Sequence, residues 1–369
     1  MEVKKQRAVS YELLRIIAML MIVILHYLSK GGVLRDLSGN APFTGADYAA
    51  WFVEALCMGC VNAYIMISGY HGCMQEEFRI RKLFRLWGAT LFYSIAITLL
   101  CGVCGVLMLQ GQATQLSGLN LYDWLAVLFP VTTQEYWYIT VYLIASLFIP
   151  FVNQGIRKLP KRTFQWILGM AILLLSVAKS ILPMEVPYDG YGYDVAWFLC
   201  VYLLGAYIRL YGFPLVGKKW RSLLLYLASA TATFGIGMLV RALYVSSGAL
   251  ATYVTRNPFY QHNFILNLVT AVGLFCFFAS IHIKEGLWAK GILLVSSCTL
   301  GVYLIHEQFY FRYMWTSWCG ASQVAGTWAF LTHMLLTVLC VYVACTLIEY
   351  VRSRIARLLF RPKEKSNEA

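Results

Sequence analysis

Apolar runs of about twenty residues alternate with short polar segments from residue 9 to residue 350. Coiled as an α-helix, such a run matches the ~30 Å hydrocarbon core of a bilayer. The pattern predicts spans over residues 9–28, 48–70, 86–109, 137–152, 164–182, 194–211, 222–244, 262–281, 291–311 and 324–350. A further run, 121–129, is stopped by Pro130 and is too short to cross, so it is expected at the interface or re-entering. Polar positions in three of the spans are candidates for chemistry. Glu12, Arg15 and His26 lie in the first, Glu54 and Asn62 in the second, and Tyr303, His306 and Glu307 in the ninth. At ~100° per residue, the steps from Arg15 to His26 come within about 20° of three full turns. The two side chains therefore share one helix face, about 16–17 Å apart along the axis.

Composition agrees with the pattern. Hydrophobic residues make up 60% of the chain, charged residues 13%, and the mean hydropathy is +0.65. These values exclude a soluble globular protein and imply an all-α polytopic membrane protein with a single integral-membrane domain over residues 1–369. The formal charge of +13 does not signal nucleic acid. Its basic residues cluster between apolar runs: Lys4, Lys5 and Arg7; Arg79, Arg81, Lys82 and Arg85; Arg157, Lys158, Lys161 and Arg162; Lys218, Lys219 and Arg221; and Arg352, Arg354, Arg357, Arg361 and Lys363. They fall at alternate span ends, as the positive-inside rule requires, so ten crossings place both termini in the cytoplasm. The first run reads as an uncleaved span, because it is long, carries ionisable residues and lacks a small-residue cleavage site. Cys57/Cys60 and Cys101/Cys104 have CxxC spacing, but in apolar runs without a strand and turn around them. They read as small buried helix residues.

Ionisable residues at membrane depth are costly against lipid and belong against protein or a water-filled cavity. Arg15 has an ordinary account: it can snorkel to the inner interface and pair with Glu12 at i,i+3, while His26 bonds a neighbouring helix. The functional account is acyl transfer. An arginine forks onto phosphate, and a neutral histidine takes a proton from a hydroxyl or acts as nucleophile. The arginine lies toward the cytoplasm and the histidine further out, which suits a phosphate-bearing donor entering from inside. The basic loop at Lys82 and Arg85 fits either plain topology or an outer clamp for the donor phosphates. Asn62, Ser68 and Gly69 read as helix-packing polar and small residues. His306 reads as a helix-contact residue or a partner of His26. No metal-ligand spacing, GxSxG or P-loop occurs.

Arg15 and His26 with ten residues between them resemble the R-x10-H signature of the bacterial acyltransferase-3 family of integral-membrane acyltransferases. Further elements follow in family order: the run Val61 to Tyr70 with Ser68-Gly69, the basic Lys82-Leu-Phe-Arg85, Trp137-Tyr138 with Pro150, and Gly301-Val-Tyr-Leu-Ile-His306. Asn62 stands where many members have Asp, and Lys82 replaces the first Arg of the basic motif. The resemblance implies transfer of an acyl group, usually acetyl from cytoplasmic acetyl-CoA, with no metal. The implied acceptor is a hydroxyl of an extracytoplasmic envelope glycan or lipid-linked saccharide, and the implied location the bacterial plasma membrane. It also implies that Arg15, Lys82 and Arg85 contact CoA, that His26 acts at the transfer step, and that Glu12, Asn62, Ser68, Tyr138 and His306 surround them. Membrane lipid and glycan-synthesis proteins are the expected partners. The alternative is a transporter or exporter of a small polar solute or amino acid, with the ionisable stripe as its path.

Overall fold

The computed structural model describes residues 9–75, 78, 80–109, 111–184 and 190–359; Lys4, Lys5, Arg7, Arg79, Arg361 and Lys363 lie outside these. The hydrophobic runs become helices because a bilayer core offers no water to backbone N–H and C=O groups. In chain order they are α1 (Val9–Lys30), α2 (Gly45–Cys57), α3 (Cys60–Gly72), α4 (Ile80–Val103), α5 (Leu121–Leu128) and α6 (Trp137–Lys158). Then come α7 (Lys161–Ile172), α8 (Ala178–Ile181), α9 (Val195–Tyr211), α10 (Lys219–Ser247), α11 (Ala251–Arg256) and α12 (Ile265–Ala279). The last are α13 (Leu287–Ser296), α14 (Thr299–His306), α15 (Arg312–Trp318) and α16 (Thr327–Leu359). Joined where consecutive, they give nine helices among the described residues that are long and apolar enough to cross a membrane. The 17-residue α9 stands where the sixth span is expected. The protein is an all-α polytopic membrane protein. A two-stranded antiparallel ribbon, β1 (Leu107–Leu109) with β2 (Gln112–Thr114), follows α4.

Several expected spans differ in detail. The second breaks at residues 58–59 into α2 and α3, and the ninth breaks at residues 297–298 and ends at His306 rather than 311. The fifth passes through a π-helical turn, Leu173–Val177. Each irregularity is satisfied from inside the protein, the condition on which a membrane tolerates it. Tyr226 donates to the Leu56 carbonyl at 2.9 Å, Thr299 Oγ1 to the Ser296 carbonyl at 2.9 Å, and Asn263 Nδ2 to the Leu175 carbonyl at 3.1 Å. The third span starts at Ile80, so Arg81, Lys82 and Arg85 sit on the first turns of α4 rather than in a loop. The fourth runs on to Lys158 with Pro150 inside it.

Helix α1 packs against α2, α3, α12, α13, α14, α15 and α16. It lies parallel to α13–α14: Ser296 Oγ donates to Glu12 near one end, and His26 meets His306 near the other. Helices α3 and α9 approach until no side chain fits between them. A Cβ on Gly69 would stand 2.0 Å from the Tyr202 carbonyl oxygen, and one on Gly205 2.3 Å from that of Met66.

Candidate active site

The polar face of α1 opens on two different environments. At its N-terminal end, Arg15 Nη1 donates to both Glu12 oxygens at 3.2 and 3.3 Å. Glu12 is buried, because i,i+3 spacing brings it to the guanidinium and Ser296 supplies a second donor. Both residues line a cavity of about 220 Å³ together with Ser68 and Lys82, from α3 and α4. Glu12 occupies only Nη1 of Arg15, and Nε has no hydrogen-bond partner among the described residues. Nε is itself buried, but a quarter of the side chain is exposed, so the open edge of the guanidinium can meet an anion. Lys82 Nζ donates to Tyr142 Oη at 3.2 Å on the same wall. Asn153, held between the Gly72 carbonyl at 2.9 Å and the Tyr202 hydroxyl at 2.9 Å, closes the far side.

At the other end of the stripe, His26 faces His306. Their ring nitrogens, Nδ1 and Nε2, lie 2.8 Å apart. The second nitrogen of His306, Nδ1, lies 2.6 Å from the Val302 carbonyl oxygen, which can only accept. The network therefore assigns the proton of His306 to Nδ1 and leaves its Nε2 as acceptor. His26 must then carry its own proton on Nδ1 and donate it to His306. The consequence is a lone pair on His26 Nε2, and no described residue bonds it. Glu307 Oε2 stands 3.1 Å from His26 Nδ1, off the direction of a ring N–H, so it makes a charge contact but no hydrogen bond. Its other oxygen pairs with Arg312 at 3.1 Å. Trp315 Nε1 donates to the His306 carbonyl at 3.0 Å and locks the end of α14.

An aromatic seam joins the two environments. From Tyr142 on the cavity wall, ring centroids step 6.5 Å to Tyr138, 6.3 Å to Tyr303, 6.2 Å to His306 and 5.0 Å to His26. Tyr64 stands 6.3 Å from Tyr138 and shares a 2.9 Å hydrogen bond with Thr299.

The structure thus brings Glu12, Arg15, Ser68 and Lys82 to one cavity, His26 and His306 into contact, and Tyr138 between them. Two expected residues lie elsewhere. Arg85 is exposed on α4, about one turn beyond Lys82, and does not line the cavity. Asn62 is a buried bridge, donating to the His262 carbonyl at 2.7 Å and accepting from Trp197 Nε1 at 2.9 Å. Arg312, Tyr142, Asn153 and Tyr202 belong to the site without having been singled out in the sequence. Their only signal there is a polar or aromatic position in or beside an apolar run. No cluster of three or more His, Cys, Asp or Glu suited to a metal occurs among the described residues.

A cavity lined by a partly open arginine, linked through a row of aromatic rings to a half-buried histidine with an open lone pair, defines a membrane protein equipped for group transfer. The model of a protein family described as an acyltransferase domain, acyltransferase-3, matches residues 9–351. The chain belongs to that family and is a multi-pass membrane acyltransferase. Searches of curated proteins and of solved structures each return no match.

Proposed function

We propose that the protein moves an acetyl group from cytoplasmic acetyl-CoA to a hydroxyl of an extracytoplasmic envelope glycan or lipid-linked saccharide in the bacterial plasma membrane. The observation that carries this reading is the division of the α1 stripe. An anion-ready arginine lines a cavity at the basic end, and a histidine with an open Nε2 stands about 16–17 Å deeper on the same face. The positive-inside rule makes the basic end cytoplasmic. Acetyl-CoA would place its phosphates at Arg15 and Lys82 and extend its thioester along the tyrosine seam toward His26. Lys82 is a point charge rather than a fork, so it adds attraction with little directionality.

At His26, Nε2 takes the proton of the acceptor hydroxyl while the oxygen attacks the thioester carbonyl. The C–S bond breaks, an ester forms, and the thiolate recovers the proton as CoA thiol. Proton transfer through Nδ1 to His306 is not needed; the Nδ1–H···Nε2 bond keeps the tautomer and aims the ring. Glu307 offsets the positive charge that develops on the imidazole. A route through an acyl-histidine would use the same lone pair.

Vesicles containing the protein, given labelled acetyl-CoA on the basic side and envelope extract on the other, test the reading. His26→Ala and Arg15→Ala are each expected to abolish label transfer at unchanged protein abundance. Wild-type transfer in His26→Ala vesicles would sink it.

A further inference from the structure

Glu349 lies near the basic end of α16, is buried, and takes no part in the α1 stripe or the donor cavity. Three bonds tether its carboxylate. Arg352 Nε donates to Oε2 and Nη2 to Oε1, both at 2.7 Å, and Tyr93 Oη of α4 donates to Oε2 at 2.5 Å. A forked, charge-assisted pairing of this kind holds a carboxylate in one orientation. Arg352 is itself pinned over the Tyr93 ring, 5.6 Å from its centroid. The side chain has lost the freedom that a surface glutamate keeps.

Its stem fills a notch in α14. A Cβ on Gly301 would stand 2.5 Å from Glu349 Cβ and 2.6 Å from Cδ, and closer still to Cγ, so glycine there is what admits the stem. Helix α14 is eight residues long, is cut off from α13 by the break at residues 297–298, and ends on His306. Such a short rod takes its setting from what packs against it. Tyr64 bonds Thr299 at its start, while Tyr136 Oη donates to the Leu304 carbonyl at 2.9 Å and Trp315 bonds the His306 carbonyl. Those bonds hold the two ends. The Glu349 stem meets the middle, five residues and about 7.5 Å before His306.

We propose that Glu349 is a positioning residue for the transfer step: seated in the Gly301 notch, it sets α14 so that His306 Nε2 meets His26 Nδ1. The inference rests on the acyl-transfer reading and adds to it a residue outside the site. An ordinary carbon contact needs about 3.5–4 Å, so a methyl group at 301 must displace α14 or the stem by on the order of 1 Å. Three bonds resist movement of the stem, and α14 yields. The ring nitrogens of His26 and His306 lie 2.8 Å apart, and a hydrogen bond is gone by about 3.6 Å. A shift of that size, carried to His306, breaks the contact and frees the His26 ring. No described residue of α14 or α16 lines the donor cavity, so donor binding is left as it was.

The test uses the full-length protein in nanodiscs with labelled acetyl-CoA and envelope extract, each variant made in the wild-type and the His306→Ala backgrounds. Gly301→Ala is expected to lower kcat on the order of 10²-fold, the cost of a misplacement near 1 Å, and Glu349→Ala about tenfold. Half-saturation by acetyl-CoA should stay within about twofold in both. Glu349→Gln keeps the stem and an acceptor for Arg352, and should retain most of kcat. In the His306→Ala background, Gly301→Ala and Glu349→Ala should each cost less than about twofold, because the contact they set is already gone. Nitrogen NMR of histidine-labelled protein should show the Nδ1–H···Nε2 bond between His26 and His306 in the wild type and its loss in Gly301→Ala. Should Gly301→Ala fail to accumulate, Glu349→Ala and Glu349→Gln decide by the same criteria. Full losses in the His306→Ala background would overturn the proposal, as would a bond that survives in both alanine variants. So would Glu349→Gln as impaired as Glu349→Ala, or an effect confined to acetyl-CoA half-saturation. Wild-type protein that moves no label would instead sink the acyl-transfer reading, while the NMR arm still decides what sets α14.

Discussion

The two ends of the α1 stripe handle costly groups in opposite ways. Around Arg15 the charge stays partly open: Glu12 binds one terminal nitrogen, a quarter of the side chain is exposed, and a cavity adjoins it. Around His26 the polar groups are closed in on one another. His306, Glu307, Arg312 and the Val302 carbonyl form a connected set that fixes one tautomer and leaves one lone pair outward. The first arrangement suits binding, where a visiting anion completes the coordination. The second suits chemistry, where the protein must supply its own alignment before the substrate arrives.

That contrast breaks most sharply at His26. His26→Ala should lower label transfer by about 10²–10⁴-fold, the usual worth of a positioned base, while equilibrium binding of acetyl-CoA is retained. Equal loss of binding would show that the two ends are one unit. His306→Ala comes next. It removes the acceptor of the His26 Nδ1 proton, and a transfer loss on the order of 10²-fold is expected, a fraction of what misorienting a catalytic imidazole costs. His306→Gln, which keeps an acceptor, should recover part of the rate, whereas a purely structural role would leave both variants equally impaired.

Arg15→Lys acts on the open end and should be gentler. Replacing a fork by a point charge is expected to raise KM for acetyl-CoA about tenfold with kcat largely kept. A fall in kcat at unchanged KM would place Arg15 in the chemical step instead.

The smallest effect concerns Glu135, in the segment before α6. Burial pushes its carboxyl from the usual 4.5 up to about 7, against the opposing pull of Arg312. Because the folded value is raised, the neutral form contributes stability that is complete below about pH 4.5 and lost as pH rises through 7. Thermal unfolding in detergent should show the wild type losing stability relative to Glu135→Gln over that window. Parallel curves would show that Glu135 is solvated as in the unfolded chain.

Much of this was legible in the sequence, and the reason is geometric. A bilayer sets span length, and a helix sets which residues share a face, so ten apolar runs and the Arg15–His26 stripe follow from spacing alone. The His26–His306 contact was open to expectation only as a pairing of two unusual residues, since 280 positions separate them. Helix breaks at residues 58–59 and 297–298 were hidden, because hydropathy averaged over a span does not register one displaced turn. The role of Asn62 was hidden too. Whether a polar residue faces a cavity or a neighbouring backbone depends on what packs opposite, here α9 and the segment before α12, and its own helix does not say.

The glycine seam between α3 and α9 bears on how the protein is made. Asn153 at the cavity wall is held by Tyr202, whose own backbone is pressed against Gly69. A ribosome must therefore deliver the sixth apolar run before the donor cavity has its full wall. His26, inserted with the first run, waits longer still, until the ninth brings His306. A chain halted midway would sit in the membrane with its most expensive residues unmet, a ready mark for quality-control proteolysis.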